Sequence, residues 1–215
     1  MEIMSALRFS SLIILFPILF GACGRSELIR IRMLAPVNED KKDHAIFTDI
    51  TSSSSFTPVI TNKNVGGSLY FLFKSIGLGY TTITTKMEKV DEKLTEKTTL
   101  VTNFADVAFG IGENYTFMWG AGVLTGGKWE TSLEYASKTF NPKHNYLGGH
   151  SLFFVLGHHG FGFETLLGYR TNSIKAEFEE INSLDIGKTS EDFTYESNII
   201  SLKTSQVQLG IGFTF

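Results

Sequence analysis

Residues 207–215 alternate without a break. Val207, Leu209, Ile211, Phe213 and Phe215 take one set of positions, and Gln208, Gly210, Gly212 and Thr214 the other. A period of two puts one set on each face of an extended strand. The pattern recurs upstream. Ala105, Val107, Phe109 and Ile111 oppose Asp106, Ala108, Gly110 and Gly112. Tyr115, Phe117, Trp119, Ala121 and Val123 oppose Thr116, Met118, Gly120 and Gly122, and the phase is expected to continue, with Trp129, Thr131, Leu133 and Tyr135 on the apolar side. Phe161, Phe163, Thr165, Leu167 and Tyr169 oppose Gly162, Glu164, Gly168 and Arg170. Two arrangements satisfy such a chain. A soluble sandwich or barrel turns the apolar face inward. An inverted barrel turns it toward lipid and lines its interior with the polar, Gly-rich face.

The end of the chain favours the inverted form. Gln208, Gly210, Phe213 and Phe215 resemble the C-terminal signature of bacterial outer-membrane β-barrels: a polar residue, Gly two places on, and alternating apolar residues ending in a terminal aromatic. The resemblance implies that this segment is read by the barrel-assembly machinery. It also implies that the Phe215 ring lies at the inner bilayer interface.

Loop lengths support the same reading. An outer-membrane barrel has short turns at one end, long loops at the other, and both termini on the turn side. Counted back from Phe215, a strand at 193–215 follows an acidic loop at 177–192. Strand 161–176 follows a turn at His159-Gly160, and strand 149–158 follows a loop at 138–148. Strand 115–137 follows a turn at Glu113-Asn114, and strand 98–112 follows a charged loop at 88–97. Strand 67–87 follows a turn at Asn62 to Gly66, with weaker strands at 45–60 and 27–35 joined by 36–44. The expected fold is all-β: an antiparallel up-and-down transmembrane β-barrel of eight strands, in the OmpA/OmpX size class. About 9–11 residues of tilted strand cross the apolar zone. That places Lys203 and Trp129 near the outer interface and Tyr115, Phe161 and Phe215 in an inner belt. The upper halves of strands 115–137 and 193–215 project beyond.

The 21 Gly and 19 Phe then have opposite roles, Phe toward lipid and Gly in a narrow interior. Gly110, Gly112, Gly120, Gly122, Gly162, Gly168, Gly210 and Gly212 are expected inward, making room for Met118, Glu164, Leu166 and Arg170. An eight-stranded barrel has space inside only for side chains, and charges there must be paired or wetted. Asp106, Glu164 and Arg170 are the interior charges, paired across strands.

Residues 1–22 have a signal-peptide layout: Arg8, an apolar run from Leu12 to Phe20, then small residues. Gly21, Ala22 and Cys23 resemble a lipoprotein cleavage box, although position 20 is Phe and Leu19 lies one place early. The resemblance implies lipidation of Cys23, and ordinary cleavage nearby is the alternative. The domain reading is signal peptide 1–22, an N-terminal segment 23–66 that is either linker or the first two strands, and a barrel at 67–215.

Sharper chemistry is weakly supported. Some outer-membrane barrels are lipid-modifying enzymes with a Ser/His pair at the outer rim, but His150 and Ser151 are adjacent and face opposite sides of a strand. His158-His159 has no evident third metal ligand, and the 177–192 carboxylates lack calcium-loop spacing. Gly127-Lys128-Trp129 matches the Gly-x-Trp of lipocalins at the wrong place in the chain. A net charge of −3 and the balanced run 86–97 argue against nucleic acid. The expectation is a non-enzymatic outer-membrane protein of the cell envelope with no cofactor, metal or catalytic residues, contacting outer-membrane lipid, the barrel-assembly machinery and an unknown extracellular partner of its loops. The alternatives are a lipidated, lipocalin-like soluble barrel holding an apolar ligand and a lipid-modifying barrel enzyme.

Overall fold

The computed structural model describes residues 29–37, 48–49, 59–90, 94–135, 138–141, 143–160, 162–178, 193–194 and 199–215. Eight strands form the wall: β1 (Ile29–Pro36), β2 (Val59–Phe73), β3 (Ile76–Val90), β4 (Leu94–Gly112), β5 (Tyr115–Tyr135), β6 (His144–Gly160), β7 (Phe163–Phe178) and β8 (Ile199–Thr214). Each pairs antiparallel with its chain neighbour, except that β1 pairs with both β2 and β8 and so closes the barrel. Arg32 has Tyr70 on one side and Gly212 on the other. At the seam, Ile29 N donates to Phe215 O (3.2 Å) and Phe215 N to Ile29 O (2.9 Å). The last residue is therefore tied into the sheet.

One end carries the short connections, at Lys74-Ser75, Glu113-Asn114 and 161–162, together with Ile29 and Phe215. We call it the turn end. The opposite, loop end carries the connections at 37–58, 91–93, 136–143 and 179–198. Two backbone pairs, Phe193 with Asp49 and Thr194 with Thr48, join the longest two of these. Lys138–Phe140 folds back on the end of β5.

Several expectations need correction. The stretch 67–87 is not one strand. It is split by a hairpin turn at Lys74-Ser75, where Lys74 takes a left-handed φ of 55°. The strand expected at 45–60 is displaced: β2 runs from Val59 to Phe73, straight through the supposed turn at 62–66. The charged loop at 88–97 is mostly sheet, with only 91–93 between β3 and β4, and Glu88 faces Lys97 in register. β6 is longer than expected and takes in both His159 and Gly160, while β8 starts at Ile199. Gly112 and Gly162, expected on the inner face, instead sit at turns with φ of 98° and 86°, a conformation that side chains with a Cβ resist. Phe161, assigned to the inner belt, lies outside the described residues.

The largest correction concerns β5. Its pairing with β4 slips between Asn103 and Phe104, whose partners are Gly126 and Leu124, so Thr125 has no opposite number. This is a β-bulge, and one extra residue exchanges the two faces of everything beyond it. Below the bulge Thr116, Met118 and Gly122 are buried and Tyr115 and Val123 exposed. Above it Trp129, Thr131 and Leu133 are buried and Lys128 and Glu130 exposed. Trp129 belongs to the interior, not to an outer belt. Quenching by brominated acyl chains separates the two tryptophans. In reconstituted vesicles Trp129→Phe, which leaves Trp119, should be strongly quenched, and Trp119→Phe, which leaves Trp129, only weakly.

The outer surface toward the turn end is an apolar band. β8 presents Phe213, Ile211 and Leu209, β7 Phe163, Leu167 and Tyr169, and β6 Leu156, Phe154 and Leu152, all exposed. β4, β3 and β2 continue it with Ile111 and Val107, Ile76, Leu78 and Tyr80, and Phe73, Phe71 and Leu69. Trp119 lies in this band among Phe109 and Phe117, with ring centroids 6.3 and 5.4 Å away. Nearer the loop end the outward positions turn polar, as at Thr82, Thr171, Lys175 and Lys203. The band ends part-way up, and the upper wall stands clear of it.

Candidate functional site in the barrel interior

The inward faces fill the barrel in layers. At the turn end, β1 contributes Arg30 and Arg32, whose side chains alternate with outward Ile29, Ile31 and Met33. Arg32 Nε donates to Glu164 Oε2 (2.6 Å), and its Nη2 donates to Glu164 Oε1 (2.8 Å) and Thr116 Oγ1 (2.8 Å). Arg30 Nη2 donates to the carbonyl of Gly112 (2.9 Å). The Glu164 pair thus spans β1, β7 and β5 and ties the short first strand to the far wall.

Above it lies an apolar cluster with Leu34, Leu72, Met118, Phe153, Val155 and Leu166. Then comes the central polar layer, built around Arg170 and Asp106, which are 0% and 2% exposed. Arg170 Nη2 and Nη1 donate to Asp106 Oδ1 and Oδ2 at 2.8 and 2.9 Å, a bidentate pair. Nη1 also reaches Tyr70 Oη and Thr81 Oγ1 (both 3.0 Å), Nη2 reaches Ser151 Oγ, and Nε donates to Asn172 Oδ1 (3.1 Å). Thr81 Oγ1 donates to Asp106 Oδ2 (2.6 Å). Each guanidinium nitrogen is satisfied, and Phe104 and Phe153 lie 4.9 and 5.3 Å from its carbon. A second apolar cluster closes the upper barrel with Leu100, Phe104, Trp129, Ile174, Phe178 and Leu202. Trp129 meets Phe178 edge-on at 5.5 Å, and its Nε1 donates to Thr131 Oγ1 (3.1 Å).

Glycine makes the central layer possible. A Cβ on Gly122 would run into the Asp106 carboxylate and stand 2.7 Å from Ser151 Oγ. Gly122→Ala should therefore cost about 1–3 kcal/mol by overpacking, read as a lower urea midpoint of refolded protein. Little change would mean that the layer is looser than its geometry.

Asp106, Glu164 and Arg170 all lie in the interior. Asp106 and Arg170 meet directly, while Glu164 belongs to a separate layer with Arg32. Arg32 escaped the sequence reading because its segment looked like linker. Its signal was the short alternation of Ile29, Ile31 and Met33 with Arg30 and Arg32. In the C-terminal signature, Gln208 is buried and donates to Ser68 Oγ (3.4 Å), and a Cβ on Gly210 would crowd Leu34. Phe213 and Phe215 are exposed on the outer surface. Cys23 and residues 1–22 lie outside the described residues.

The geometry also bears on the sharper chemistry. Ser151 is buried and hydrogen-bonded to Arg170, while His150 is exposed on the other face of β6. His158 packs on Tyr115 at 5.0 Å on the outside. No group of three or more metal-ligating side chains occurs among the described residues.

No protein-family model and no curated protein matches the chain. Among solved structures it is similar to Neisserial surface protein A (NspA), at 11% identity and a TM-score of 0.43 over 90% of this chain and 100% of that one. It is also similar to the outer membrane protein OprG from Pseudomonas aeruginosa, at 10% identity and a TM-score of 0.42 over 87% and 95%.

Proposed function

We propose that the chain is an integral outer-membrane β-barrel with a non-enzymatic role in the cell envelope, its loop end facing outward and open to contacts. The observation that carries this is the inversion of its surfaces. Ion pairs and hydroxyls occupy the interior, while Phe, Leu and Ile cover the outside. In water that arrangement wastes the hydrophobic effect, and in a bilayer it is the stable one. The filled interior supports a structural element over a pore: two apolar clusters lie on either side of the Arg170–Asp106 layer. A lipocalin-like carrier needs that volume for its ligand. An acyl-transfer enzyme needs a free hydroxyl, and Ser151 Oγ is engaged by Arg170.

On this reading Gln208, Gly210, Phe213 and Phe215 recruit the barrel-assembly machinery, and Cys23 carries a lipid anchor. The test is twofold. Reconstituted protein should give no steady conductance in planar bilayers, and open-channel currents would overturn the structural role. Cys23→Ser should abolish palmitate incorporation, and label retained in the variant would exclude Cys23 as the anchor.

A further inference from the structure

The barrel wall parts above the bulge. β5 and β6 pair only from Tyr115–His158 up to Val123–His150. Beyond that β5 runs on to Tyr135, while residues from His144 to Gly149 of β6 pair with β7 alone. Beside the parting, at the loop end, β4, β5, Asn141, Lys143 and His144 line a cleft of about 670 Å³. Its lining is basic: Lys97, Lys128, Lys143 and His144 face it, with Glu130 as the acidic member and Trp129 at its inner side. Lys128 is paired with Glu130, and Lys97 with Glu88 at 3.3 Å. Lys143 has no carboxylate partner among the described residues. His144 Nδ1 is buried and makes no hydrogen bond there. The cleft thus carries an uncompensated positive charge. Its height is informative as well. Lys128 lies about five residues beyond Val123, roughly 15 Å along a tilted strand, so the cleft opens on the upper wall above the apolar band.

We propose that this cleft holds the phosphorylated head group of an outer-leaflet glycolipid. The proposal rests on the membrane reading above. Lys97, Lys128 and Lys143 supply ammonium groups toward phosphate, and the acyl chains of the same molecule continue down the apolar band beside β5 and β6. One amphiphile would then meet both surfaces, and the bulge that turns Trp129 inward is what turns Lys128 and Glu130 outward.

The two-tryptophan composition supplies a reporter. In a Trp119→Phe background Trp129 is the sole indole, and its emission can be followed in detergent micelles during titration with purified lipopolysaccharide. A saturable change is expected, at least tenfold weaker with enzymatically dephosphorylated lipopolysaccharide. The further double change Lys128→Gln/Lys143→Gln should weaken it at least tenfold. Lys63→Gln, on β2 and outside the cleft lining, should leave it unaltered. Equal response to the dephosphorylated lipid, an unchanged midpoint in the double variant, equal weakening by Lys63→Gln, or no saturable change would each overturn the proposal. Inorganic pyrophosphate saturating in the same range would make the site one for free anions and overturn the lipid assignment. Each variant is first run unboiled on an SDS gel. Folded mobility with no response refutes the cleft alone, whereas loss of the folded form in the Trp119→Phe parent counts against the membrane reading.

Discussion

Arg170→Ala should lower folding stability by about 3–5 kcal/mol, the cost of leaving one member of a buried ion pair without the other. Asp106 would be left in the middle of the barrel without its cation, with only the Thr81 hydroxyl still donating to it at 2.6 Å. Tyr70, Ser151 and Asn172 would lose their shared donor at the same time. The pair itself contributes less than its single variants suggest, because desolvation offsets most of its attraction. Arg170→Met combined with Asp106→Leu should therefore cost less than the sum of those two changes made singly, with a large coupling between the two sites. Urea titration of protein refolded into vesicles measures both. A single-variant loss below about 1 kcal/mol, or a double variant no better than the sum of the singles, would mean that water screens the layer.

The second large effect has its size set by the solvent. Leu167 is 49% exposed and lies between Leu209 and Leu156 in register, in the middle of the apolar band. Leu167→Arg should cost about 2–4 kcal/mol in a bilayer, the depth-dependent cost of an arginine near the midplane of a barrel wall. Thr171→Arg, on the same face near the top of the band, should cost about 0–1 kcal/mol. In a water-soluble barrel both would fall within about 0.5 kcal/mol of zero, as surface substitutions do. The gradient between the two positions, read by the same titration, distinguishes a lipid-facing wall from a wetted one.

Much of this was legible in the sequence, for a physical reason. Where one face of a strand meets a uniform medium, alternation is strict, as in 207–215, 161–170 and the lower half of β5. The inward position of Asp106, Glu164 and Arg170 follows from that phase, whereas the count of eight came from turns and loops and survived only because the turn placed at 62–66 has a counterpart at Lys74-Ser75. What was not legible depends on backbone events that leave faint residue signals. The turn at Lys74-Ser75 contains neither Gly, Asn nor Pro, whereas Asn62 to Gly66 has the composition of a turn and is continuous strand. There Gly66 takes a φ of 144° within β2. The bulge at Thr125 is marked only by Gly126 and Gly127 after it, and above it the alternation resumes with both faces mixed. Trp129, Thr131 and Leu133 could be read into either phase. The Arg32–Glu164 pair was missed because β1 spans only Ile29–Pro36 and its neighbours in sequence look like linker.

The measurement that bears most directly on an inside-out barrel in lipid is the mobility of unboiled protein on an SDS gel, alongside carbonate extraction of membranes from producing cells. A closed barrel with its ion pairs inside and its apolar band already covered offers detergent little to unfold. The expected result is a carbonate-resistant protein whose band runs at a different position unboiled and shifts to the mobility of the unfolded chain on heating. A carbonate-extractable product with the same mobility before and after boiling would contradict it, and the apolar outer wall would then have to be buried against protein instead of lipid.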